Sequence, residues 1–191
     1  MATSADIENA LVTAATAALY PQTGSPFPAT VTIARGWPTE ADIRMAVGGL
    51  AHLVGVYAVP GMSRDSTKLL RAWQTENSGV GAMEVGRIEQ VFRLDIWASN
   101  PDARDAILGL LLPALRFQTR YTLPDGTIAT LMRLQSGGPN DRPSRADEWA
   151  QSIDLMFQYP VIYTQTQPVV TQVTVAETIN DGLTITTQTP A

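Results

Sequence analysis

The chain has 191 residues, 45% of them hydrophobic, a formal charge of -5 and no cysteine. That is enough apolar material for one ordinary domain plus an extension, which excludes a fully disordered chain. An acidic balance with no clustered Lys or Arg excludes a protein that grips nucleic acid by neutralising phosphates, and the missing cysteines remove disulfides, thiol catalysis and Cys-based metal sites.

Of the thirteen basic residues only Lys68 is a lysine. The arginine bias suits planar, bidentate pairing at interfaces, although a codon habit explains it equally well. Met1 to Tyr20 lacks the basic start and apolar core of a signal peptide, and no apolar run approaches the ~20 residues of a membrane helix. The expectation is a soluble, cytosolic product with no membrane partner.

In chain order, Asp6 to Leu19 spaces Ile7, Leu11, Ala14, Ala15, Ala18 and Leu19 as an amphipathic helix, with Ser4 or Asp6 as cap and Pro21 as stop. A Pro/Gly/Ser loop follows, then a short strand over 29–34 ended by Gly36-Trp37-Pro38, and a short helix from Glu40 to Val47 capped by Thr39. Leu50 to Val59 is apolar apart from His52 and reads as a strand buried on both faces. From Gly61 to about Val85 the periodicity is lost, which predicts a long loop of the kind used for contacts.

Gly86 to Trp97 alternates cleanly, with Ile88, Phe92, Leu94 and Ile96 on one face and Arg87, Glu89, Arg93 and Asp95 on the other. Ser99 or Asn100 then caps a helix with Pro101 at its first position; the helix buries Ala103, Ala106, Ile107, Leu110, Leu111 and Ala114 and frays near Pro113. A turn at Pro124-Asp125-Gly126 leads into a strand over 127–135, and a polar loop over 136–145 precedes a last alternating strand, Glu148 to Tyr159. The predicted fold class is α+β: a mostly antiparallel four-stranded sheet with two or three helices packed on one face. Residues 1–159 form this core domain, and residues 160–191 form an extended C-terminal β-arm.

The arm has its own signature. After Arg145 there is no Lys or Arg, and from Pro160 the chain runs in Thr, Gln and Val. Val169 to Val175, then Asn180-Asp181-Gly182 and Leu183 to Thr186, have strand propensity and a hairpin turn but little apolar mass for a separate core. Such a hairpin is suited to pairing with a neighbouring chain.

Catalytic candidates are few. His52 is the only histidine, so a small hydrolase would have to pair it with Glu40, Asp42 or Asp65; a histidine satisfied within the core is the stronger reading. Gly79-Val80-Gly81-Ala82-Met83-Glu84 lacks the third glycine and following helix of a phosphate loop. Asp102 with Asp105, and Ser144 to Asp147, read as helix-end and turn residues. Core filling is the default for Trp37 and Trp97, whereas Trp73, in the aperiodic stretch, reads as an interface anchor.

At Phe92-Arg93-Leu94-Asp95-Ile96-Trp97-Ala98-Ser99-Asn100-Pro101-Asp102-Ala103-Arg104-Asp105-Ala106, a strand turning directly into a capped helix, the chain resembles the tail terminator and tail-completion proteins of tailed bacteriophages. Gly36-Trp37-Pro38 and Val59-Pro60-Gly61-Met62-Ser63-Arg64 are similar to pieces of the same neck proteins, so the resemblance spans residues 36 to 163. It implies a structural virion protein without cofactor or catalytic residues. Its subunits would form a hexameric ring on the tail tube, stop tube polymerisation and face a head–tail connector, with DNA passing through the lumen unbound. The length of the segment from Pro160 to Ala191 departs from the compact core such proteins need.

The expected interface residues are Arg64, Lys68 and Trp73 in the aperiodic stretch, Arg87, Glu89, Arg93 and Asp95 on the charged strand face, and Val169, Val173 and Val175 in the arm. Three other readings stay open: a different neck component such as a connector ring, a small hydrolase using His52, and a module that binds a host protein.

Overall fold

The computed structural model describes residues 2–20, 31–48, 51–66, 71–74, 80–139, 149–166, 174–178 and 184–188. Helix α1, Ser4–Leu19, starts at Thr3, whose hydroxyl accepts the Asp6 N–H (3.3 Å) while the Asp6 carboxylate accepts the Thr3 N–H (2.9 Å). The cap is therefore Thr3, with Asp6 its reciprocal partner three residues on. Tyr20 closes the helix and bonds both backbone groups of Val31, accepting from its N–H (2.6 Å) and donating to its carbonyl (2.9 Å). These two bonds fix where strand β1, Val31–Arg35, begins.

Strand β2, His52–Ser66, runs parallel to β1. Parallel neighbours need a crossover, and helix α2, Glu40–Gly48, lies in that connection. Thr39 and Asp42 form a second capping box at its start. Next come β3, Arg71–Gln74; β4, Val80–Ala98; α3, Pro101–Phe117; β5, Arg120–Thr122; β6, Ile128–Ser136; and β7, Trp149–Thr166. The sheet order is β1-β2-β4-β7-β6-β5, with β3 joining β4 beyond the end of β2. Every pair except β1–β2 is antiparallel. Strands β8, Thr174–Thr178, and β9, Thr184–Gln188, form a separate two-stranded ladder.

The chain is thus a mixed α and β protein, but the sheet is larger than the expected four strands. The stretch from Gly61 to Val85, expected as a loop, is mostly strand: β2 continues to Ser66, β3 follows, and β4 begins at Val80. A bulge hid this, because Val59 to Met62 oppose only Val91, so the two-residue period breaks before pairing resumes at Ser63 and Gln90. Gly61 takes a positive φ of 73° within the bulge, a conformation open to glycine. The Ala58 N–H beside it is taken by the Glu8 carboxylate of α1 at 2.9 Å.

The core lies on one face of the sheet. Ile7, Leu11, Ala15 and Leu19 of α1 and Ala103, Ile107, Leu111 and Leu115 of α3 repeat every four residues, and these stripes pack with Val54, Val56, Phe92, Leu94, Ile96, Ile153, Leu155 and Phe157. Ala106, expected inside, is exposed. Helix α3 does not fray at Pro113 but continues to Phe117, since buried Leu111 and Leu115 flank the proline and hold the last turn. Phe157 meets Phe92 (5.7 Å) and Tyr121 (5.2 Å) edge-on, a favoured aromatic arrangement.

The second face of the sheet is also covered in part. Leu53, Tyr57 and Trp97 point away from the core face and are buried nonetheless. Trp37 and Pro38, leading into α2, cover them: the Trp37 ring lies 4.6 Å from that of Tyr57, and a Cβ on Gly55 would come within 2.9 Å of Pro38. Residues 52–57 of β2 are buried on both faces, as their continuous apolar run implied, because the crossover supplies a second cover.

Two substitutions separate packing from polar satisfaction. Phe157→Ala is expected to cost about 3–5 kcal/mol through the cavity it leaves. Tyr121→Phe is expected to be neutral or to stabilise by about 1 kcal/mol, because the buried Tyr121 hydroxyl has no hydrogen-bond partner among the described residues. Urea unfolding of the two variants beside the parent checks both; a large loss for Tyr121→Phe would contradict the assignment. Gly55→Ala, forced against Pro38 and Trp97, is expected to lose about 1–3 kcal/mol in the same assay.

Candidate functional surface

Beyond the part covered by Trp37 and Pro38, the second face of β4 and β7 carries a ribbon of paired polar groups. The Arg93 guanidinium grips Asp154 through two bonds, 2.7 and 3.2 Å, and this carboxylate holds the Arg93 pKa above its usual value. Further along, Arg87 bonds Glu84 at 2.7 Å and Gln158 at 3.3 Å, while Gln158 donates to Glu89 at 3.1 Å. Arg64 on β2 stands directly across from Glu89 and is exposed. The pairing registers bring Arg64, Arg87, Glu89 and Arg93 into one neighbourhood.

Asp95 departs from that group. It was expected on the open charged face but is only 8% exposed, and it accepts hydrogen bonds from the Tyr57 and Ser152 hydroxyls, each 2.5 Å. The Trp37–Pro38 cover closes this end of the sheet, so Asp95 ties three strands together internally rather than offering itself to a partner. Burial first, and the Asp95 carboxylate second, push the Tyr57 pKa upward, which keeps the hydroxyl as the donor.

Trp73 lies in β3 opposite Ala82, so its backbone belongs to a ladder and not to a loop. Val175 lies in β8 opposite Thr187. Lys68, Val169 and Val173 fall outside the described residues, as do Ser144 to Asp147. Among the described residues Trp37 is exposed, at 66%, whereas Trp97 is buried; a tryptophan before proline carries no periodicity from which this could be read. Sequence reasoning also missed Tyr57 and Ser152, whose polar roles depend on a strand register that one strand cannot disclose.

His52 is 2% exposed, and its Nδ1 accepts the Ser99 N–H at 3.3 Å, so the imidazole braces the turn from β4 into α3. The carboxylates considered as its catalytic partners have other positions: Asp42 caps α2, Glu40 pairs with Arg44 at 2.7 Å, and Asp65 is exposed on the far part of β2 beside Ile88. Asp105 pairs with Arg104, and Val80 to Glu84 belong to a strand rather than a phosphate loop. Among the described residues no group of three or more His, Asp or Glu could hold a metal ion, and no helix is long and apolar enough to cross a membrane. No protein-family model matches the chain, and no curated protein is significantly similar to it.

Burial lowers the His52 pKa below its ordinary 6.5. The neutral form is therefore favoured in the folded chain, and its contribution to stability is complete above pH 6.5. As the pH falls below that value the unfolded chain takes up a proton first, and stability declines until the folded histidine also titrates. Unfolding free energies measured from pH 7.5 to 5 are expected to fall with pH, and His52→Gln is expected to flatten the slope. An unchanged slope in the variant would remove His52 as the cause.

The two acidic sites should differ in magnitude. Asp95→Ala leaves two hydroxyl donors without their acceptor in a covered site and is expected to cost about 3 kcal/mol. Asp154→Ala breaks a partly exposed pair and is expected to cost under about 1 kcal/mol. Equal losses in denaturant unfolding would show that Asp95 is less enclosed than its contacts indicate.

Proposed function

We propose that this chain is a structural virion protein, a bacteriophage tail terminator that assembles as a ring at the head-proximal end of the tail tube. The reading rests first on the likeness of residues 92–106 to those proteins. One structural observation supports it beside that likeness: β4 and β7, of 19 and 18 residues, extend the sheet into a ribbon flanked by β2 and β3, and it carries exposed Arg64 and the partly exposed Arg87, Glu89 and Arg93. A ribbon of this kind offers backbone edges and the exposed Arg64 to a neighbouring subunit, which is what a head-to-tail ring interface uses.

In this reading the chain carries no catalytic residue, metal or cofactor, and its partners are copies of the same chain, the tail tube protein and the head–tail connector. DNA passes through the lumen without specific binding, as an acidic chain in which Arg35, Arg44, Arg87, Arg93 and Arg104 pair with carboxylates would allow. The finished protein resides in the virion neck after assembly in the host cytoplasm. The C-terminal arm contributes strand edges to the contact between subunits.

Native mass spectrometry and electron microscopy of the full chain mixed with tail tubes test the proposal. The expected result is a sixfold ring seated on one tube end and an arrest of tube growth. A monomer at micromolar concentration that never decorates a tube end would overturn it. A twelvefold ring bound to the portal side would assign the chain to the connector instead.

A further inference from the structure

Strand β7 is paired on both sides only as far as Gln158. On one side β4 continues to accompany it, residue 160 to residue 166 lying beside 87 to 80, but the β6 pairing stops at Thr130 opposite Gln158. Among the described residues no strand covers the outer edge of Pro160 to Thr166. An edge of this length is usually guarded by a charge, an inward lysine or repeated prolines. Here no charged residue occurs between Asp154 and Glu177, and Pro160 is the only proline on the edge.

A segment of matching chemistry follows in the same chain. Strand β9, Thr184-Ile185-Thr186-Thr187-Gln188, carries no charge, is rich in β-branched residues and, among the described residues, is bonded to β8 alone. A two-stranded hairpin is marginal in water and gains stability from a third strand. Edge and hairpin are each incomplete in the same way, and Thr, Val and Ile pair well across strands. Glu177 lies on β8, so β9 is the uncharged side of the hairpin.

We infer that the outer edge of residues 160–166 is a strand-docking site, and that its occupant is β9 of a second copy of this chain. Donor and acceptor are different surfaces of one subunit, so the contact is heterologous and propagates from copy to copy. The inference deepens the ring reading above by naming the acceptor edge, and it can fail while that reading stands.

The parent has no cysteine, so engineered pairs report cleanly. Full-length chains carrying Ile162→Cys or Thr164→Cys are mixed with full-length chains carrying Ile185→Cys or Thr187→Cys, then oxidised. The expected result is a disulfide between different chains for at least one pairing, and its loss when Ile162→Pro is placed in the Thr164→Cys acceptor chain to remove an edge N–H. Circular dichroism of the proline variant must match the parent; if it does not, Ile162→Lys replaces it as the edge block. Two outcomes overturn the inference. One is a disulfide formed only within a doubly substituted chain diluted into cysteine-free chains, which would mean that β9 folds back on its own subunit. The other is no disulfide in any pairing although the mixture is oligomeric by mass, which would leave the ring but not this contact.

Discussion

Strand β4 is the constraint from which the rest of this architecture is built. It is bonded on one side to β2 and then β3, and on the other to β7 along almost its whole length. Its alternation assigns Phe92, Leu94 and Ile96 to the helical core and Arg93, Asp95 and Trp97 to the opposite face. A one-residue slip would exchange these sets and turn the Arg93 guanidinium toward α1 and α3, a costly placement for a charge. The polar pairs reinforce the same register, because Arg93 reaches Asp154 and Asp95 reaches Ser152 only when β4 and β7 are aligned as they are.

The two faces of β4 are finished differently, and the crossover from β1 to β2 decides how. Helices α1 and α3 come to the core face because their four-residue stripes match the apolar surface presented there. The connection between two parallel strands must pass over a face, and Trp37 and Pro38 in that connection pack on Gly55, Tyr57 and Trp97. Covering this patch encloses Asp95, and the enclosure is tolerable because both of its carboxylate oxygens accept from hydroxyls.

Much of this was legible in the sequence where one periodicity sufficed. Helix α1, the Thr39 cap, the Asn100-Pro101 start of α3 and the alternation of β4 and β7 follow from local spacing and capping chemistry. The cover on the second face was implied by the apolar run from Leu53 to Tyr57, yet a single-sided helical layer was expected, so two inferences from the same residues disagreed. The bulge at Val59 to Met62 concealed the end of β2, and the irregularity between Glu84 and Gly86 the start of β4, because strand recognition relies on an unbroken two-residue period. Pairings such as Arg93 with Asp154 are properties of register and not of either strand alone.

What the chain leaves unsatisfied points in one direction. Its polar side chains are largely engaged with one another: Asp95 with Tyr57 and Ser152, Arg87 with Glu84, Gln158 with Glu89, and His52 with the Ser99 backbone. Among the groups with shifted pKa values, Tyr57, Arg93 and His52 bond neighbouring strands or a turn, while Asp42 and Asp125 hold a helix cap and a turn. Groups without partners among the described residues include backbone donors and acceptors along strand edges, the Tyr121 hydroxyl and the exposed Met62 side chain. Backbone edges of this kind are satisfied by water or by another strand, and the proposed assembly would use the second.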